Sequence, residues 1–207
     1  QVVSDKCSWN EMTDELGERF EISFNTYKPF ACGIVIHPSI DASVQLRERG
    51  VRPEQLERIE LKVHSLVLEL TGKKEPATGL ESKFSVYHSC AVGLLYGQAG
   101  EHEYTDEVVN RPEVTALRAR VEAIVDDRID EAAVDLTIRT TDGRDLHLVV
   151  EHAIGSLERP MSDAQLRAKF VGQSEAVLGA DKTARAWTLA MGIGQCPGLG
   201  DFFAATT

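Results

Sequence analysis

The sequence predicts an α+β domain that gives way to helices alone near Gly155. Two period-2 runs and one change of character support this. Ile59, Leu61, Val63, Ser65 and Val67 alternate, and Val134, Leu136 and Ile138 alternate into an Asp142-Gly143 turn that Leu146, Leu148 and Val150 leave in the same rhythm. Beyond Gly155 the pattern is helical throughout, so residues 21 to 155 read as the mixed domain and 156 to 207 as a helical segment, after a polar lead-in at 1 to 20. Of 207 residues, 43% are apolar and 27% charged, a globular mix that leaves no room for long disorder.

Within the lead-in, Glu11 to Arg19 is weakly helical. Ile22, Phe24 and Thr26 share one face of an expected strand that ends at Lys28-Pro29, because proline removes a donor and extends the residue before it. His37-Pro38-Ser39 opens a helix with proline in its first turn and Gly50 as the stop, and a short helix starts near Pro53. Thr71 to Gly79 reads as a loop, and Ser82 to Gly97 as one apolar helix with small residues along it. Pro112 begins an amphipathic helix through Val114, Leu117, Val121 and Ile124. After the hairpin, Ser162-Asp163-Ala164-Gln165 is a capping box for a helix through Phe170 and Val177. Asp181 to Met191 is another helix, and the tail ends in Phe202-Phe203. A helical segment this short buries a core of its own only with difficulty, so it is expected to pack on something outside the chain.

Twenty-two basic against thirty-three acidic side chains give a net charge of −11, which repels phosphate backbones and argues against a nucleic-acid partner. No apolar run approaches the roughly 20 residues of a membrane span. The first residues are polar and mixed in charge, unlike a signal peptide, although a chain starting at Gln1 is also what processing or fragmentation leaves. Cys7, Cys32, Cys90 and Cys196 form no C-x-x-C pair and stand at no zinc spacing from a histidine, so no metal is expected. Few cysteines and no leader suggest a cytoplasmic setting.

Two side chains stand out chemically. Lys28, at a strand end beside Ala31-Cys32-Gly33, can present its ammonium to an anion; an exposed edge lysine is the bland alternative. His88 lies in the first turns of its helix, where the dipole favours neutral imidazole able to accept a proton; a hydrogen-bonded packing histidine is the alternative. His37 before Pro38 suits a cap or a pocket wall. There is no dinucleotide fingerprint, nucleophile elbow or phosphate loop.

Tyr27-Lys28-Pro29-Phe30-Ala31-Cys32, followed by His37-Pro38-Ser39-Ile40-Asp41-Ala42, resembles the KP(Y/F)-x-C … H-x-(A/S)-I-D-A signature of the MmgE/PrpD family. Lys83-Phe84-Ser85 through Gly97, Asn110-Arg111-Pro112, the Asp142-Gly143 hairpin and Arg159-Pro160-Met161-Ser162-Asp163 with Lys169-Phe170 are similar to further family motifs in the same order. That family includes 2-methylcitrate dehydratase, cis-aconitate decarboxylase and iminodisuccinate epimerase. The resemblance implies the C-terminal half of such an enzyme: a small α+β lid at residues 21 to 155, then helices that rejoin an all-helical domain largely absent from this chain.

It further implies a lyase or isomerase acting on a small di- or tricarboxylic acid, by dehydration, decarboxylation or epimerisation, without a cofactor. Lys28 matches the family's active-site lysine, and His88 falls where many members carry an active-site tyrosine. Both are therefore implied as catalytic, with Tyr87, Cys32 and His37 binding substrate. Tyr87 offers a phenol, although about 100° away around the helix. The expected partners are the polycarboxylate and the helical half, as an N-terminal portion or a second chain. The complete enzyme is expected to be a homodimer, and this chain alone inactive. The rival reading is a non-catalytic lid-like subunit for binding or oligomerisation.

Overall fold

A computed structural model describes residues 8–206 and is an α+β structure. Its centre is a four-stranded mixed sheet, built from β1 (Leu56–Val63), β2 (Val121–Val125), β3 (Val134–Thr140) and β4 (Asp145–Val150) in the order β2-β1-β3-β4. β1 runs parallel to β2 and antiparallel to β3, which forms the expected hairpin with β4. One face is apolar: Ile59, Leu61 and Val63 of β1 and Leu136 and Ile138 of β3 are all fully buried. The other face is charged, with Arg58 paired to Glu122 and His147 to Asp135 across neighbouring strands. A sheet polar on one side and apolar on the other needs a single covering layer.

Two helices form much of that layer, α1 (His37–Glu48) and α2 (Val86–Tyr96). Every residue of α2 from Val86 to Leu94 is buried, as suits a mostly apolar helix whose few polar side chains, such as His88 and Ser89, are hydrogen-bonded. Ser85 accepts the His88 backbone N–H to start it, and Gly97 closes it. The expected single helix from Ser82 is thus divided, with a short turn at Gly79–Ser82 before the cap.

Three other expectations are corrected. Ile22 to Thr26 is not a strand: Glu21–Phe24 is a 3-10 turn with Ile22 and Phe24 exposed, since among the described residues no strand lies beside it to pair. The run beginning at Ile59 stops at Val63, where His64 Nδ1 accepts the Leu66 N–H and caps a helix at Ser65–Thr71. The helix from Pro112 ends at Arg118, and Val121 instead opens β2, paired with Ile59 of β1. Val121, Ala123 and Val125 fit a period of two as well as Val114, Leu117, Val121 and Ile124 fit a helix, and the free edge of β1 decides between them.

The chain then runs through α3 (Asp163–Leu178), α4 (Ala180–Met191) and α5 (Gly200–Thr206). Ser162 and Gln165 form the expected capping box, the Ser162 N–H donating to Gln165 Oε1 at 2.9 Å. Phe170 and Trp187 hold α3 on α4, with ring centroids 5.6 Å apart. No residue of α3 is buried, and Val177 is 83% exposed, so these helices carry little core between them. No described helix is long and apolar enough to cross a membrane.

Candidate active site

Lys28 is positioned by backbone bonds and not by a sheet. The Tyr27 N–H donates to Gly155 O at 3.1 Å, Ala31 N–H to Ala99 O at 3.0 Å and Gly33 N–H to Lys83 O at 3.2 Å. The extended segment 27–33 is thereby fastened to three separate parts of the chain, and Phe30 is buried beneath it. Lys28 Nζ donates to Cys32 O at 3.4 Å and lines an open cavity of about 900 Å³. The other walls come from the 97–103 loop, from α1 through Asp41 and Gln45, and from α3 through Gln165 and Lys169.

Four lysine or arginine side chains line this cavity, but only two are neutralised. Lys83 pairs with Glu101 at 2.7 Å. Arg159 pairs with the buried Asp41 at 2.7 Å, and Asp41 also accepts the Ile154 N–H at 2.8 Å and Gln45 Nε2 at 3.0 Å. Lys28 and Lys169 have no carboxylate partner among the described residues. On a chain of net charge −11, two uncompensated ammonium groups at one concavity make a local site for anions.

Cys32 shares the wall with Lys28. Burial pushes its thiol up to about 11, with Tyr104 and Ser89 hydrogen-bonded nearby, so it stays protonated and cannot serve as a ready nucleophile. His37 does not line the cavity but packs edge-on against Phe30, with ring centroids 5.3 Å apart, and its Nε2 has no partner.

The structure does not bring His88 or Tyr87 to the cavity. His88 is fully buried, and its Nε2 lies 2.9 Å from Glu103 O. A carbonyl only accepts, so Nε2 carries the proton and Nδ1 is a bare acceptor without a partner. The buried Glu103 carboxylate in turn accepts the Gly100 N–H and Gln98 Nε2, each at 2.8 Å. His88 therefore holds the shape of the loop whose Ala99 fastens the Lys28 segment, and reaches the site only through it. Tyr87 is buried with the Lys74 ammonium 5.7 Å from its ring centroid, and burial raises its phenol.

The residue that sequence reasoning passed over as a site candidate is Lys169. A signal was present: Gln165, Lys169 and Gln173 repeat every four residues, so a helix expected to pack on something presents a polar stripe. The buried Glu103 left no such trace, because its bonds are made within its own loop. Among the described residues no three His, Cys, Asp or Glu side chains are grouped to hold a metal ion.

His37 and His88 are each pushed down to about 4, by burial first, and for His37 next by the Lys28 charge. Free imidazole titrates near 6.5, so between these values the unfolded chain binds protons that the folded chain refuses. Stability is expected to be insensitive to these rings above 6.5. It should fall as pH drops through the window, by about 1.4 kcal/mol per pH unit for each ring, and show no further loss from them below about 4. Urea unfolding across this range checks it; a flat profile would mean that the rings are charged in the folded protein.

A profile of the MmgE/PrpD C-terminal domain matches residues 30–192. Among curated proteins, the 2-methylcitrate dehydratase of Salmonella typhimurium is 25% identical over 151 residues, which cover 68% of this chain and 31% of that protein. The mitochondrial 2-methylcitrate dehydratase of Yarrowia lipolytica is 24% identical over 159 residues, covering 66% and 30%. The chain thus spans about a third of the length of the relatives it matches.

Proposed function

The chain belongs to the MmgE/PrpD family, as its C-terminal domain, and from that premise we propose that it forms the cationic wall of an active site for a small di- or tricarboxylic acid. The observation that carries this reading is Lys28 on the cavity wall without a counter-carboxylate among the described residues. A helical half, in the same polypeptide or a second one, closes the open side and completes a homodimeric enzyme. Leu80 and Phe84, 72% and 50% exposed at the cavity rim, suit such a cover.

The reaction that agrees best with the named relatives is a dehydration. A C–H bond next to a carboxylate breaks, its electron pair forms the C=C bond, and the neighbouring hydroxyl leaves with a second proton as water. Charge develops on the carboxylate beside the deprotonated carbon, and Lys28 is the group here able to hold it. His88 has no path to that proton, so in this reading it is a positioning residue. The acid and base belong to the helical half, and this chain by itself is inactive.

The test is to assay the complete enzyme, with its helical half, against 2-methylcitrate, cis-aconitate and iminodisuccinate. Turnover of 2-methylcitrate is the expected result, whereas turnover of one of the others would reassign the reaction within the family. Failure to transform or bind any polycarboxylate would overturn the proposal.

A further inference from the structure

Lys28 and Lys169 belong to different walls of one cavity, the 27–33 segment and α3. Lys83 and Arg159 are already spent on Glu101 and Asp41, at 2.7 Å each. Lys169 is a half-buried residue that pairs with no carboxylate among the described residues. Gln165 and Gln173, one turn to either side on the same face of α3, add neutral amide donors. The charges of both lysines help to hold the His37 imidazole neutral.

From this arrangement we propose that Lys169 is a second anion anchor, so that the site engages two carboxylates of one ligand at once, one on Lys28 and one on Lys169. α3 then sets the preference for polycarboxylates over monocarboxylates. This rests on the reading of the cavity as a carboxylate site and adds to it the residue that counts charges. The bound ligand bridges the domain and α3, two parts that share few buried contacts of their own.

The experiment compares glutarate with pentanoate, acids of equal chain length that differ by one carboxylate, by calorimetry on the complete enzyme. Wild type is expected to prefer glutarate. Lys169→Gln should weaken glutarate by about 10- to 100-fold, the span of one charge-assisted hydrogen bond. Pentanoate should stay within about twofold, since it needs only one anchor. Lys169→Arg, which restores the charge, should recover most of the preference, a result that a merely structural role would not produce. Equal weakening of both acids by Lys169→Gln, or of neither, overturns the second anchor while leaving the carboxylate site standing. Failure of wild type to bind glutarate while it binds 2-methylcitrate would overturn the second anchor, and failure to bind either would instead overturn the proposed function itself. Lys169 pairs with no described carboxylate, so the substitution is expected to leave folding intact, and an unchanged unfolding midpoint checks this.

Discussion

Replacing Lys28 by alanine in the complete enzyme is expected to lower turnover by about 10²- to 10³-fold, the usual cost of removing one preorganised donor from developing charge. The side chain makes a single weak hydrogen bond, to Cys32 O at 3.4 Å, so little folding free energy depends on it. Its removal should change stability by no more than about 0.5 kcal/mol. This separates a chemical role from a structural one. Steady-state rates and an unfolding curve on the same preparation provide the check, and near-wild-type rates would remove Lys28 from the site. Lys28→Arg should recover part of the rate only, because a planar fork on a longer side chain cannot occupy the point where an ammonium sits.

Gly155→Ala should be the most destabilising single change considered, at about 3 kcal/mol or more from left-handed strain together with a backbone clash. Gly155 has φ +92°, and an added Cβ would lie 2.2 Å from Tyr27 O. Pro29 Cδ would also lie 2.9 Å away, and neither a backbone oxygen nor a proline ring is the end of a flexible side chain, so the 27–33 segment itself must move. That segment is held at this point by the Tyr27 N–H bond to Gly155 O, and Lys28 is the next residue. The substitution is therefore expected to depress turnover as well as stability, through displacement of the ammonium. Gly143→Ala is the matched control: φ is +86° in the hairpin turn, but nothing lies within 4 Å of the added carbon. It should cost only about 1 kcal/mol of strain and leave turnover unchanged. Urea unfolding of the two variants compares them, and equal losses would show that the contact with Tyr27 does not matter.

Legibility varied with how local the determining physics was. The β3–β4 hairpin, the opening of α1 at His37-Pro38 and the Ser162 capping box are specified by neighbours in sequence, and all three are present. Ile22 to Thr26 shows the same alternation as a strand, but a strand needs a partner, and among the described residues none lies there. Val121 to Val125 satisfies two periods, and only its place beside β1 selects one. Lys28 and Cys32, named from the sequence, line the cavity together, whereas His88 and Tyr87, from a helix that faces the core, do not.

The α+β class, the hairpin, the principal helices and the family are written along the chain, because they follow from periodicity, turn chemistry and ordered motifs. Which charges are left free is settled by packing in three dimensions. Whether a lysine is neutralised depends on a carboxylate that can lie anywhere in the chain, as Asp41 and Arg159, 118 positions apart, demonstrate. The Gln165, Lys169 and Gln173 stripe marks a polar face along the chain, but no local pattern records that Lys169 lacks a carboxylate among the described residues.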